Sequence, residues 1–290
     1  MEKAIIKTLA YADIFDYPLR PYEIHKWLIL QKATTYQIEK GIIRLLKKGK
    51  IQVKKDYLYL TGRQIVVKKR IERQKQSSKY NFRAQIVAFV LRIVPWIKLV
   101  GISGSLAVEN AEKKSDIDLV IITSKERMWL TRLLTVWLTD FLGVRRRRND
   151  PENEVGGKAC INLFLEEDNL EQAYKDLYTA HEVLQMKVLW ERDNIYEKFL
   201  DKNSWAFTYL PNWATSKASN SNLKVRGSKR DLKKQSFFLD VLEKIMEWVQ
   251  RQYMKKPSGV ERISEGELFF HPDDCRIKIL QEYHQKQKKY

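Results

Sequence analysis

The spacing of apolar positions changes character several times along this chain, and each change predicts a different element. From Lys3 to Phe15 the apolar residues recur at helical spacing, and Asp16-Tyr17-Pro18 closes the pattern. A second helix opens at Pro21, where a first helical turn tolerates proline, and runs to about Leu30. Thr34 and Gln37 form a capping-box signature for a third helix ending near Gly49, with Ile38, Ile42, Leu45 and Leu46 as its buried stripe. Two short β-type runs follow, Ile51 to Val53 and Tyr57 to Leu60, joined by Lys54-Lys55-Asp56. Gly62 to Pro95 reads as a helical bridge, first polar and then amphipathic from Phe82 to Val94, with Ile86, Phe89, Val90 and Ile93 on one stripe. No Pro/Gly-rich tract interrupts the bridge, so it predicts a fixed relation between the parts it joins.

A strand-rich centre comes next. Trp96 to Ile102 is a short strand after Pro95, and Ser103-Gly104-Ser105 leads into a brief helical pattern, Leu106 to Ala111. Ile117 and Leu119 to Ile122 mark a second, mostly buried strand, Lys125 to Leu142 a strongly apolar helix, and Ala159 to Leu165 a third strand. In that helix Leu133, Leu134, Trp137, Leu138 and Phe141 are expected against the sheet. Beyond Asp168 the pattern turns helical: Leu170 to about Trp190, Asn194 to Trp205, and Gln235 to Lys255. Ser216 to Lys234 reads as a mobile surface loop, and a last helix capped by an Asp restarts after Phe269 to Asp274 and ends in a basic, fraying segment.

Candidate chemistry concentrates between Gly104 and Asp118. A Gly-Ser pair is followed, ten residues on, by Asp116 and Asp118, which share one strand face because alternate strand residues point the same way. Two like carboxylates side by side raise each other's pKa unless a cation sits between them, and Mg²⁺ or Mn²⁺ suits an all-oxygen pair. Backbone N–H groups at the Gly104-Ser105 turn would receive phosphate oxygens. Walker-type and kinase motifs are absent from the sequence.

The Gly-Ser turn and the Asp-x-Asp strand resemble the signature of the polymerase-beta-type nucleotidyltransferase superfamily. That resemblance implies attack by a hydroxyl on the α-phosphate of a nucleoside triphosphate, with pyrophosphate leaving and metal ions held by Asp116 and Asp118. Gly104 and Ser105, with Lys114 in the intervening loop, would then meet the nucleotide. Lys113 and Arg132 are further cations within reach of a triphosphate, each equally explained as solvated. The superfamily adds a third carboxylate from a later strand. Here the corresponding inward position is Asn162, which can ligate through its carbonyl but is a poor general base. Glu166, an even four residues further on, is a substitute ligand or the start of the next loop. A helical C-terminal half that closes over the nucleotide is also implied, with His181, Glu182, Gln185 and Lys187 as candidates for base or acceptor contacts, or as groups satisfied inside a helix bundle.

Three helices followed by a basic hairpin resemble a winged helix-turn-helix domain. In that reading the third helix exposes Tyr36, Gln37, Lys40, Arg44 and Lys47 toward DNA or RNA, and Lys54 and Lys55 lie on the wing; a protein-binding or structural role is the alternative. The expected fold class is α+β: a winged helix (1–75), a small mixed β-sheet nucleotidyltransferase core with its leading bridge helix (76–168), and a helical C-terminal region (169–290).

Composition sharpens this picture in one respect. The chain carries +18 over 290 residues, and +12 of it lies in residues 1–80, with 19 Lys or Arg against 7 Asp or Glu. Lys217 to Lys256 adds 11 cationic residues against 4 acidic, and Arg145 to Arg148 makes a third focus. Such an excess points to a polyanionic partner. No apolar run is long enough for a membrane span, and the first residues do not read as a signal peptide, so a cytoplasmic location is expected. Cys160 and Cys275 show no metal-ligand spacing, and the four histidines are scattered. Two readings follow: a metal-dependent nucleotidyltransferase, or a nucleotide-binding DNA-binding regulator that has lost turnover through Asn162.

Overall fold

The computed structural model describes residues 1–147, 149–151, 153–214, 237–254, 261–270 and 275–290. Arg148, the loop expected over Ser216 to Lys234 and the cap expected within 271–274 lie outside the described residues, as does most of the second basic stretch. Three helices open the chain: α1 (Glu2–Ile14), α2 (Pro21–Lys26) and α3 (Thr35–Lys47). The capping box at α3 forms as the sequence predicts, with Thr34 accepting from the Gln37 amide and the Gln37 side chain accepting from Thr34 N–H. Helix α2 stops four residues earlier than expected, and Leu28 and Ile29 continue as buried irregular chain. There Leu30 N–H bonds the Tyr209 carbonyl and Ile29 N–H bonds Thr8, so tertiary partners replace helical ones. Strands β1 (Ile51–Lys54) and β2 (Tyr57–Leu60) pair antiparallel into a hairpin.

The bridge is one 27-residue helix, α4 (Ile65–Leu91), about 40 Å long at 1.5 Å per residue. Its first turns pack Val66 and Val67 on Tyr57 and Tyr59 of the hairpin, and its last turns bury Tyr80, Ala84, Val87, Ala88 and Leu91 against the sheet. The expected stripe is displaced: Ile86, Phe89 and Ile93 face solvent, because the smaller alanines let the helix settle on its other face.

The sheet is mixed, in the order β6 (Lys187–Glu191), β3 (Ile97–Ile102), β4 (Ile117–Thr123), β5 (Ala159–Glu166), β8 (Glu267–Phe269) and β7 (Arg262–Ser264). Its centre comprises β3 (Ile97–Ile102), β4 (Ile117–Thr123) and β5 (Ala159–Glu166); only β4 and β5 run parallel. The one-turn helix α5 (Gly104–Ala107) follows β3, and α6 (Met128–Phe141) connects β4 to β5. Helix α6 also differs from expectation, since Trp137 and Phe141 stack on each other at the surface while Thr131, Thr135 and Thr139 are fully buried. Thr131 and Thr139 satisfy their hydroxyls on carbonyls four residues back, which allows a polar stripe inside.

The helical reading of Leu170 to Trp190 is corrected: α7 (Leu177–Gln185) is capped by Asp176, and Lys187–Glu191 forms strand β6 on the edge of β3. The β-forming run Val188-Leu189-Trp190 meets an open sheet edge, and strand pairing overrides the helical pattern. Then come α8 (Ile195–Lys202), α9 (Ala206–Tyr209), α10 (Phe237–Tyr253), the short hairpin β7 (Arg262–Ser264) with β8 (Glu267–Phe269), and α11 (Cys275–Lys289). The hairpin extends the sheet beyond β5 and has no counterpart in the sequence reading. No described helix is long and apolar enough to cross a membrane. One hydrophobic cluster runs from α1, α2 and α3 through α7, α8 and α9 to Tyr283 of α11, so the N-terminal helices share a core with the C-terminal ones.

Candidate active site

The sheet centre brings the Gly-Ser turn onto the aspartates. Ser103 N–H bonds the Asp118 carbonyl at 3.0 Å, and Gly104 follows in a left-handed conformation (φ +62°). A Cβ on Gly104 would lie 3.0 Å from Asp118 Oδ2, so glycine is required both by the backbone and by the approach of the carboxylate. Asp116 lies just before β4, and Asp118 is its second residue.

Parallel pairing then selects the neighbours. Asp118 is opposite Cys160. Asn162 donates from Nδ2 to Asp118 Oδ1 at 2.7 Å and accepts from the Cys160 thiol at 2.7 Å. Asn162 thus steers the Asp118 carboxylate. Arg146, placed by its N–H bond to the Ala159 carbonyl, forms a guanidinium–carboxylate pair with Asp116. From α7, the Glu182 carboxyl accepts the Gly104 N–H.

The electrostatics follow from crowding acids in a half-buried place. Burial, and after it the charges of Asp116 and Glu182, raise Asp118 to about 7 against the opposing pull of Arg146 and Asn162. Burial raises Glu182 to about 7 as well. The Cys160 thiol is pushed far above its ordinary value by burial and then by the two aspartates, so it stays protonated. Asp116, Asp118 and Cys160 offer ligand atoms within 4.8 Å of one another. The two carboxylates are hard oxygen donors that fit Mg²⁺ or Mn²⁺, and a protonated thiol adds nothing for such an ion.

Glu166 does not join this cluster. Register passes from Leu119 opposite Ile161 to Val120 opposite Leu163, so Asn162 is an extra residue, a β-bulge. One inserted residue reverses the facing of everything after it, and the even step from 162 to 166 no longer means a shared face. Glu166 pairs with Thr123 at the other end of the strand, about six residues or ~20 Å from Cys160. Its carboxyl is half-spent on the backbone N–H groups of Glu126 and Arg127, and burial lifts it to about 7.

The other expected residues fall as follows. Ser105 sits half-buried on α5, and Lys114 is exposed on the loop before Asp116. Tyr36, Gln37, Lys40, Arg44 and Lys47 are exposed along α3, with Lys40 over the Tyr36 ring at 4.3 Å and Arg44 3.9 Å from Glu2. Lys54 and Lys55 are exposed at the hairpin tip. Lys187 lies on β6 and bonds Asn81. Cys160 and Arg146 were not foreseen at the aspartates. Counting residues across a parallel β4–β5 pair would have found Cys160, whereas Arg146 is brought in beside an isolated bridge between Arg145 and Ala159 that no local pattern signals.

Two cavities flank the aspartates. A wide cleft of about 920 Å³ on the Asn162 side is lined by Arg132, Arg145, Arg146 and Arg147. A smaller one of about 260 Å³ opens beside Gly104, Ser105 and Glu182.

A glycine turn in contact with a paired-aspartate strand, on a mixed sheet flanked by helices, is the arrangement that the resemblance to polymerase-beta-type nucleotidyltransferases implies. The family model of the nucleotidyltransferase domain matches residues 83–200, from the last turns of α4 into α8, and that segment is similar to a nucleotidyltransferase domain. No curated protein matches the chain.

Proposed function

We propose that the protein transfers a nucleoside monophosphate from a nucleoside triphosphate to a hydroxyl acceptor. The contact of Gly104 with the Asp118 carboxylate carries this reading, because it sets a phosphate-receiving turn directly against a metal-holding pair. Asp116 and Asp118 would hold Mg²⁺ or Mn²⁺, which supplies charge neutralisation for the attacking and leaving oxygens. Ser105, the amides of the turn and exposed Lys114 receive the triphosphate. A phosphate oxygen at the Gly104 amide takes the place of the Glu182 carboxylate. Asn162 holds Asp118 in orientation instead of contributing the third acid. The arginine-lined cleft on the Asn162 side favours an acceptor bearing phosphate, and the exposed cations of α3 and the β1–β2 hairpin, read as a winged helix, add DNA or RNA contacts.

The test is incubation with each α-labelled nucleoside triphosphate, Mg²⁺ or Mn²⁺, and cell extract, for wild type and Asp116→Ala/Asp118→Ala. The expected result is label transfer that falls at least about 100-fold in the variant, in line with loss of transition-state charge stabilisation. The second reading, a nucleotide-binding regulator of DNA, draws support from Asn162 at the position of the third carboxylate. Salt-sensitive DNA binding without Asp-dependent transfer for any nucleotide would favour it and sink the first.

A further inference from the structure

Helices α4, α6 and α10 lie side by side, with α6 in the middle, and all three bury one face in the core above the sheet. Each also turns an apolar stripe the opposite way, to solvent. On α4 that stripe is Phe82, Ile86, Phe89 and Ile93. Beside it stand Trp137 and Phe141 of α6, and beyond them Ile245 and Trp248 of α10. These are not glancing exposures, since Phe89 is 61% and Phe141 78% exposed. Packed helices lie only about 8–10 Å apart, so the stripes form one surface. Its exposed apolar area is roughly 1,000 Å², whereas the largest patch on a typical monomer is about 300–600 Å².

The α4 stripe has a pattern of its own. Its members are spaced four, three and four residues apart, the a/d repeat of a helix that packs lengthwise on another helix. Phe and Ile alternate along it, which makes the seam complementary to itself when reversed. Laid antiparallel on a second α4, with the two-fold axis midway between Ile86 and Phe89, it sets Phe82 against the copy's Ile93 and Ile86 against the copy's Phe89. Every layer then joins one large ring to one branched side chain, which fills space evenly. At the flanking positions Arg83 neighbours the copy's Val90 and Gln85 the copy's Arg92, so no like charges are opposed. Arg92 already lies over its own Phe89 ring at 4.1 Å, with its charge at the rim of the seam.

We propose that this three-helix face is an interface between two copies of the chain, with α4 antiparallel on α4 at its centre and the α6 stripe beside it. The inference is independent of the nucleotidyl-transfer reading. Roughly 1,000 Å² per copy exceeds the ~800 Å² per partner of a standard stable interface. The α4 seam holds aromatic and aliphatic side chains and no charge, the composition of the buried centre of a homodimer contact. Residues 215–236 are poorly suited to cover such a face from within the same chain. Beside seven Lys or Arg, their large apolar side chains are Leu223, Val225 and Leu232. A second copy brings the matching stripes in full.

The test is the oligomeric state of the full chain, by sedimentation velocity and light scattering across a range of micromolar concentrations. Wild type should be a dimer at about 10 µM. Phe89→Asp is harmless to the monomer, where the site is exposed, but buries two unpaired charges in the seam; it should raise the dimer dissociation constant at least ~100-fold and keep the wild-type circular dichroism spectrum. Ile93→Asp should act alike, and it decides the matter if Phe89→Asp misfolds. The antiparallel register has its own readout in a Cys275→Ser background. There Ile86→Cys mixed with Phe89→Cys should form an intermolecular disulfide about tenfold faster than either variant alone, because only that pair comes within bonding distance. Wild type that stays monomeric overturns the proposal, and its flotation with phosphatidylcholine–phosphatidylserine vesicles would then make a lipid surface the occupant. A dimer that both acidic variants leave intact, or mixed cross-linking no faster than that of the single variants, overturns it equally.

Discussion

Asp118 shows what the site asks of a single residue. Its carboxyl is held near 7 by burial and by two neighbouring acids, so at neutral pH a metal ion bound there would compete with a proton. A raised carboxyl pKa means the folded state binds its proton more tightly than the unfolded one. This group's stabilising effect is therefore complete below about 4 and is lost as pH rises to about 7. Metal binding restores it. Mg²⁺ or Mn²⁺ should accordingly raise the melting temperature more at pH 8 than at pH 6, and Mg²⁺ affinity should fall up to tenfold per pH unit below about 7. Equal thermal shifts at both pH values would show that Asp118 is charged throughout. Most of this was readable in advance: the spacing of Gly104, Asp116 and Asp118 predicts their proximity, and the fold sets Gly104 against Asp118. The Cys160 and Glu182 neighbours were not, because cross-strand register and helix docking are tertiary facts.

Among the elements, β5 carries the clearest lesson. Its apolar run announces a buried strand, but nothing in ACINLFLE announces a bulge at Asn162, and an unbroken alternation wrongly sends Glu166 toward the aspartates. The carboxyl instead secures the start of α6, where Glu243 of α10 also accepts the Trp129 and Leu130 N–H groups at 2.6 and 3.0 Å. Acids at a helix N-terminus meet its unpaired amides and its positive dipole end. Glu166→Ala should therefore lower stability by about 1–3 kcal/mol in chemical denaturation, the cost of stranding buried backbone donors. Its Mg²⁺ affinity should match wild type, and a loss of metal binding would place Glu166 back at the site. Helix α7 and strand β6 teach a complementary point, since a run that reads as one long helix is divided where an open sheet edge offers partners.

At the scale of the whole molecule, the N-terminal helices are bound into the part of the chain that carries the aspartates. Arg70 of α4, 3% exposed in its side chain, pairs with Glu23 of α2 at 3.1 Å, covers the Tyr17 ring at 3.7 Å and bonds the Val108 carbonyl beyond α5. Removing one partner of a buried pair costs more than the pair contributes, because the other charge is left stranded. Arg70→Ala should lose about 3–5 kcal/mol and unfold in a single transition by circular dichroism and Trp fluorescence together. Two separated transitions would mean that the N-terminal helices fold independently of the nucleotidyltransferase domain. The sequence anticipated the helical bridge α4 but not the shared core, since Leu28, Ile29 and the α7–α9 residues they meet are distant in the chain.

The bulge at Asn162 has a consequence for how such a chain can change. By resetting the phase of β5, it lets Cys160 and Asn162 answer to the aspartates while Leu163 to Glu166 answer to the core and to α6. Substitutions at Cys160 or Asn162 can alter the chemistry without refacing the rest of the strand, so one β-strand carries two independently mutable stretches, divided at a single residue.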